Sequence, residues 1–546
     1  MYILLIIFTI TAFLTAAVIQ NIREKNRRIR SMIAQYGKKR KDLADIIDRL
    51  DSVSTLYELR KDSIPENSLV DDITWNDLDM DSTFAIADHT DSYVGEQCLY
   101  FKLHDLSADK ADLADLEDRI RLFDTDETKR DNVRKKLFLL GKALPDYSVP
   151  AVMENLAAYR LSRPWIYYLL SAFLIASGLC AALCLNFAAL VVFIAVYFVN
   201  MTVHIVMMSK LDMNISVLGS IGKMISTADA LNKEVPDLDP EADEFISPLV
   251  KAAKNTAFLQ NNCASSCTDE FSLLRSYMLG PFMLDFIVYD RILSRLCAKQ
   301  PECIKTYRFV GEADCAIALS SFRRSIKNYC TPEFSDKDSF AFKAVTNPLL
   351  KNAVPNDIEF KRNIIITGSN ASGKSTFVRS VAINLILGQT VHTCTAEKAV
   401  IPKCCVMTSM AVCDDILSGE SYYVREIRYL KRMIDMCSHD KLLFLAIDEI
   451  LKGTNTRERL AASKAVMSYF HKKRCMLTVA THDLEIAKAF ETACDNYHFS
   501  EAVGSDDVVF DYILHKGISN SSNAIKLLAA MHFPKEITDE AANLLR

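Results

Sequence analysis

The sequence predicts a mainly α-helical chain that carries three membrane-spanning helices and ends in an α/β domain over residues 346–546. Three observations predict it. Residues 1–22 and 164–209 contain no Asp, Glu, Lys or Arg. Residues 210–345 keep a helical spacing of apolar positions with few breakers, so long helices are expected there. Beyond residue 346, apolar runs at 363–367, 441–447 and 476–480 read as short buried strands, and the first leads directly into a helical pattern at 377–387.

A chain of 546 residues exceeds a single compact core, so several domains are expected. Hydrophobic residues make up 50% and charged residues 24%, which excludes a disordered chain and leaves apolar surface for lipid. With 64 Lys and Arg against 69 Asp and Glu, the net charge of −5 provides no global basic field, so a polyanion would have to meet a local patch. The 16 cysteines are scattered along the chain and read as free thiols in a reducing compartment. Cys263 and Cys267 lie one helical turn apart with no second Cys or His pair nearby, and read as packing residues instead of metal ligands.

As a helix, residues 2–20 are long enough to cross a hydrocarbon core of ~30 Å. Their positive charges follow the apolar run instead of preceding it: Arg23, Lys25, Arg27, Arg28 and Arg30, then Lys38, Lys39, Arg40 and Lys41. That order predicts a span with residue 1 outside and Arg23 in the cytoplasm, not a cleaved signal. As one straight helix, residues 164–209 would extend about 69 Å at ~1.5 Å per residue, so they must turn. The expected form is a hairpin of helices at 165–185 and 187–208, turning near Asn186. Arg160 and Arg163 before it and Lys210 after it place both flanks in the cytoplasm. A multi-pass protein of the cell membrane is therefore expected, with its C-terminal domain in the cytoplasm. His204 is read as satisfied by helix packing near the membrane surface. Residues 23–63 read as a basic juxtamembrane helix, whose charges face either anionic lipid or the phosphates of DNA. Helical segments at 64–163 and 210–345 complete the part that precedes the α/β domain.

The strand at 363–367 runs into Gly368, Ser369, Asn370, Ala371, Ser372, Gly373, Lys374, Ser375 and Thr376, and then into a helix. Strand, GxxxxGK[ST], helix is the pattern of a phosphate-binding loop. The glycines let backbone N–H groups point at phosphate oxygens, the helix N-terminus adds positive potential, Lys374 adds a charge, and Ser375 offers a hydroxyl to Mg²⁺. The strand at 441–447 ends in Asp448 and Glu449, which read as the Mg²⁺ residue and the base that activates water. The strand at 476–480 ends in Thr481 and His482, where a histidine can sense a γ-phosphate. ATP and Mg²⁺ are the expected ligands, and ATP hydrolysis the expected reaction.

These motifs resemble the ATPase domain of the MutS mismatch-repair family, with Asn370 where the family typically has asparagine. The run from Asp414 through Gly419 and Ser421 to Glu426 resembles the family's signature segment, and Lys452-Gly-Thr-Asn-Thr-Arg457 its Gly-Thr-rich loop. The resemblance implies an ABC-like P-loop ATPase fold and a homodimer in which Ser421 reaches the γ-phosphate bound by the other subunit. Tyr512 to Gly517, Ser522 to Ala524 and Pro534 to Ala541 are similar to the family's last strand and helices. Upstream, Asp71 to Leu78 and Ala87 to Tyr100 resemble the start of the family's helical core and lever, Val310 to Phe322 its return, and Val354-Pro-Asn-Asp357 the approach to the P-loop. The whole pattern is similar to that of membrane-bound MutS-related proteins.

The sequence also departs from the family. The family's mismatch-reading domain inserts a Phe-x-Glu wedge into DNA. Ahead of Asp71 lie only an apolar span, a basic stretch and one expected helix, and the sole Phe-x-Glu, Phe499-Ser-Glu501, follows a late ATPase strand. The hydrophobic hairpin replaces at least part of the DNA clamp. Ala353 stands where an aromatic would stack on adenine, leaving Tyr512 to supply stacking from the other side. Two functions follow as expectations: a MutS-like dimeric ATPase acting on DNA at the membrane, or a membrane-tethered switch acting on a protein partner without DNA. An ABC-type transporter, hinted at by Leu417-Ser-Gly-Glu-Ser421, is disfavoured, because three spans give little material for a translocation path.

Overall fold

The computed structural model describes residues 2–254, 256, 259, 277–369, 372–410, 422–503, 508–518 and 533–544. Its first helix, Tyr2–Ala34, stops short of Gly37, whose φ of +70° takes the chain out of the helical region. Short helices at Leu43–Ile47, Leu50–Val53 and Thr55–Arg60 follow, so the single helix expected over 23–63 is corrected to one helix end and three fragments. The reason is tertiary. The Tyr36 hydroxyl lies 2.5 Å from Ser320 Oγ, the Gly37 N–H donates to Ser321 Oγ at 2.9 Å, and Arg130 stacks 3.9 Å over the Tyr36 ring. These contacts bend the chain back onto the helical core. Arg40, one of the expected lipid- or DNA-facing cations, turns inward to within 3.8 Å of the buried Asp88 carboxylate.

The helical core forms around Gln300–Ser325, which is buried along most of its length. It crosses Tyr93–His104 at close range, where Gly95 faces Asp314 and Gly311 faces Cys98 with no room for a Cβ. Lys110–Thr125, opened by an Asp109/Asp112 capping box, and Glu127–Leu140 pack beside them.

Among the described residues, two helices are long and apolar enough to cross a membrane, Trp165–Cys184 and Phe187–Glu234, and only 17% of the apolar window of each is buried. They meet at the expected turn. Leu185 takes a φ of +47°, and the Asn186 side chain caps the second helix by accepting from Ala188 N–H at 3.1 Å. The second helix does not stop near Met208 as expected. It continues unbroken to Glu234, ~72 Å in all at ~1.5 Å per residue. The helical spacing of Ile215, Leu218, Ile221, Ile225 and Ala228 carries on past the apolar run, and these side chains bury in the core.

Among the described residues, ten strands build the α/β lobe. β1 (Glu333–Ser335), β2 (Ala341–Val345), β3 (Asn356–Glu359) and β5 (Lys398–Pro402) form one sheet in the order β1-β5-β2-β3. β4 (Ile364–Thr367), β6 (Cys405–Ser409), β7 (Leu443–Asp448), β8 (Cys475–Thr481), β9 (Asp495–Val503) and β10 (Val508–Lys516) form the other, in the order β10-β9-β4-β8-β7-β6. All its pairings are parallel except β10 on β9. β1 and β2 fall within residues 210–345, where only helices were expected; both are short and take their partners from strands later in the chain.

Alternation along the strands divides two cores. Ile364 and Ile366 join the core shared with the helical lobe, while Ile365 joins the one under helices Tyr422–Met436 and Thr456–His471. The lobes are fastened by buried charges. Arg323 donates to Glu117 at 2.8 and 2.9 Å, to Thr393 Oγ1 at 3.0 Å and to the His392 carbonyl at 2.9 Å, just past the helix Lys374–Thr390. Asp77 accepts from Thr408 Oγ1 and Met410 N–H at the end of β6.

Candidate nucleotide site

The turn between β4 and helix Lys374–Thr390 opens on Gly368 at φ +151° and closes on Gly373 at φ +103°, values that a side chain would strain. Lys374 is buried, and its Nζ donates to the carbonyls of Gly368 at 2.8 Å and Ser369 at 2.6 Å. Its charge is thereby held across the turn. Ser372 is buried, and its Oγ has no hydrogen-bond partner among the described residues. Asn370 and Ala371 lie outside the described residues.

β4 and β7 flank β8 in parallel, so their C-terminal ends emerge on one edge of the sheet. There Ser375 Oγ donates to Asp448 Oδ2 at 2.6 Å across 73 residues of sequence. Glu449 follows at φ +62°, a conformation that costs a non-glycine residue on the order of 1–3 kcal/mol and concentrates at functional sites. Its carboxylate lies 2.6 Å from His482 Nδ1 at the end of β8 and 3.1 Å from Lys452 Nζ. Burial, aided by the neighbouring Glu449 charge, pushes the Asp448 carboxyl above its usual value despite the Ser375 hydrogen bond. Burial acts the same way on Glu449, but the contacts from His482 and Lys452 outweigh it and hold that carboxyl below its usual value.

Two further residues position this site, and sequence reasoning assigned neither a role. The Glu426 carboxylate, buried, accepts from the backbone N–H groups of Lys452 at 2.9 Å and Gly453 at 3.4 Å and so holds the loop that follows Glu449. Its signal was legible as an acid on the same helical stripe as Leu430 and Met433, which are buried. Asn356 donates to the Tyr512 carbonyl at 3.0 Å and accepts from Leu514 N–H at 2.7 Å, clamping the irregularity in β10 where Tyr512 takes a φ of +54°. No local pattern marks that pairing.

Gly373, Lys374, Ser375, Thr376, Asp448, Glu449, Lys452 and Tyr512 line one cavity of about 530 Å³, with Ala353 in its wall. A Cβ on Gly373 would come within 3.0 Å of the Tyr512 ring, so the glycine admits the aromatic to the turn. His482 reaches the cavity through Glu449. Ser421 lies outside the described residues, just ahead of helix Tyr422–Met436. The unpartnered Ser372 hydroxyl, the cradle at the N-terminus of Lys374–Thr390 and the Lys374 ammonium suit a polyphosphate. The hydroxyl–carboxylate pair of Ser375 and Asp448 suits Mg²⁺, which takes oxygen donors.

The MutS domain V family profile matches residues 364–546, the span that holds every described element of this site except Asn356 and Ala353. Residues 364–546 thus carry the domain V of the MutS family. A DNA mismatch repair protein MutS of Natronomonas pharaonis is 30% identical over 275 residues, 48% of this chain and 32% of that protein. A MutS of Lactobacillus delbrueckii subsp. bulgaricus is 26% identical over 318 residues, 56% of this chain and 35% of that protein. The DNA mismatch repair protein MSH3 of Meyerozyma guilliermondii is 30% identical over 256 residues, 43% of this chain and 26% of that protein. The chain thus spans about a third or less of the length of these MutS relatives.

The raised Asp448 value carries a stability consequence in this MutS-type site. An acid whose folded value exceeds its unfolded one, ~3.9, loses stability as pH rises through that window, so at neutral pH the Asp448 charge opposes folding. Asp448→Asn keeps an acceptor for Ser375 and removes the charge. It should raise the apparent Tm of the nucleotide-free protein, by the equivalent of about 0.5–2 kcal/mol. An unchanged or lower Tm in a thermal melt would contradict this.

Proposed function

We propose that the chain is a membrane-anchored MutS-like ATPase that hydrolyses ATP at the turn after β4, in a homodimer whose second copy completes each site through Ser421. The observation that carries the reading is the meeting of Ser375 and Asp448 at 2.6 Å, with Glu449 and His482 beside them. Backbone N–H groups of residues 368–376, including Asn370 and Ala371, and the Lys374 ammonium bind the β- and γ-phosphates. Mg²⁺, held by Ser375 and Asp448, would neutralise charge on the phosphate oxygens. Glu449, kept ionised by His482 and Lys452, orients the attacking water and accepts its proton. His482 senses the γ-phosphate from the end of β8. Tyr512 stacks on one face of the base while Ala353 leaves the other face without an aromatic, so base selectivity is weak.

The same reading makes residues 2–22 of the helix Tyr2–Ala34, Trp165–Cys184 and the first half of Phe187–Glu234 membrane spans of the cell membrane, with the ATPase lobe in the cytoplasm. The low burial of the last two and the cations at Arg160, Arg163 and Lys210 support it. The names of the MutS relatives favour DNA as the partner of the ATPase cycle. The unbroken helix Phe187–Glu234 favours a second reading, in which the cycle moves the membrane hairpin or a protein partner without DNA.

Glu449→Gln should keep ATP affinity and lower turnover by about 10²–10⁴-fold, read from nucleotide binding and phosphate release; wild-type turnover would remove Glu449 as the base. Lys374→Ala and Ser421→Ala chains, each impaired alone, should regain part of the activity when mixed, because one site of the mixed dimer then receives both intact residues. A mixture no more active than its components would argue against a shared site. Duplex or branched DNA should bind with an ATP-sensitive affinity whose log–log salt slope is about −0.9 per neutralised phosphate. Absence of such binding at low salt would leave the DNA-free switch.

A further inference from the structure

Two polar residues of the hairpin, Asn200 and His204, are buried. Counting ~1.5 Å per residue from the turn, Asn200 lies about 20 Å and His204 about 26 Å along the second helix, inside the ~30 Å of a hydrocarbon core. Leu170, on the first helix, lies at a matching depth of about 21 Å from Cys184. Asn200 is buried, and its amide donates to the Leu170 carbonyl at 3.0 Å and to the Pro281 carbonyl at 2.9 Å. His204 is buried against Asp285, Nε2 to Oδ2 at 3.1 Å, with the Phe286 ring 5.4 Å away. Tyr197, about 15 Å from the turn, donates its hydroxyl to the Tyr277 carbonyl at 2.7 Å. Every one of these partners outside the hairpin belongs to residues 277–286.

We infer that residues 277–284 form a re-entrant element that enters the hydrocarbon region beside the hairpin, with lipid acyl chains against its outer face. The inference rests on the proposed spanning of the hairpin. Non-helical backbone at membrane depth is tolerated only where protein satisfies its polar groups, and this segment shows that provision. Gly280–Phe282 is a single tight turn that ends at Met283, φ +56°. Met283 N–H donates to the Gly280 carbonyl at 2.9 Å, Pro281 has no N–H to satisfy, and its carbonyl is taken by Asn200. Gly280 lies against the His204 ring so closely that a Cβ would meet Nδ1 at 2.8 Å. Tyr277 and Met278 are 55% and 63% exposed, as large apolar side chains of the hairpin such as Leu169 and Phe198 also are. An Asn and a His on a membrane helix are costly unless paired, and residues 277–286 supply their pairs.

Tryptophan reporters in the full-length protein test this. Trp75 is buried in the core and supplies a constant background; Trp165→Phe removes the other native indole. Met278→Trp reports on the re-entrant segment and Leu179→Trp on the hairpin, in phosphatidylcholine vesicles brominated at mid-chain. Both reporters should lose most of their added emission in brominated lipid and resist aqueous acrylamide. Quenching of Leu179→Trp by bromine with quenching of Met278→Trp by acrylamide instead would overturn the re-entrant segment and leave the hairpin standing. Bromine quenching of neither would overturn the spanning hairpin, and this inference with it. Asn200→Leu should release Met278→Trp to acrylamide while Leu179→Trp stays lipid-quenched; continued lipid quenching of both would remove Asn200 as the tie.

Discussion

Parallel pairing of β4, β8 and β7 imposes the constraint from which the site follows. In a parallel ladder every strand leaves the sheet at the same edge, so the residues just beyond Thr367, Asp448 and Thr481 are neighbours whatever their separation in the chain. Ser375 meets Asp448 there because the first turn of its helix begins where β4 ends, one strand away from the end of β7. Glu449 has left the ladder but still donates its N–H to the Ala480 carbonyl, which pins its backbone to β8 and turns its carboxylate toward His482. Register, not proximity in sequence, assembles the four groups.

Two adjacent carboxylates end in opposite electrostatic conditions. Asp448 is desolvated beside a second negative charge, and the two effects together outweigh the Ser375 hydrogen bond and the charges of Lys374 and Lys452, so its charged form is disfavoured. Glu449 is desolvated too, but a histidine and a lysine contact it and favour the charge. Pairs of acids driven apart in this way divide their labour. In the proposed reaction the first would hold Mg²⁺ and the second, already ionised, would accept the proton of the attacking water. Glu426 contributes at one remove, since its hold on the N–H groups of Lys452 and Gly453 sets where the Lys452 side chain begins.

The helical lobe joins this edge to the hairpin through few elements. Phe187–Glu234 has no break between its apolar half and its buried half, and Gln300–Ser325 carries Arg323 to the end of the helix that begins at the phosphate turn. Tyr36 and Gly37 fasten the exit of the first helix to Ser320 and Ser321 on that same Gln300–Ser325 helix. A continuous run of packed helices thus connects the phosphate turn to the hairpin.

The sequence by itself determined what local chemistry determines. The strand, glycine turn and helix around Lys374, the acids ending β7, the histidine ending β8 and the hairpin turn at Asn186 are legible because each depends on residues within a few positions of one another. Ser421, Asn370 and Ala371 were also singled out, and they lie outside the described residues. Other features were not legible. The break at Gly37 answers to a hydroxyl 284 residues away, β1 and β2 are strands only because β5 and β3 lie beside them, and the clamp on Tyr512 comes from Asn356, 156 residues earlier. The helix past residue 208 continues because its apolar residues pass from an exposed surface into the core without losing their period. Periodicity and motif spacing report the bonds a segment makes with itself. Where a segment's partner lies far along the chain, only the packed fold determines which side chain arrives to satisfy it.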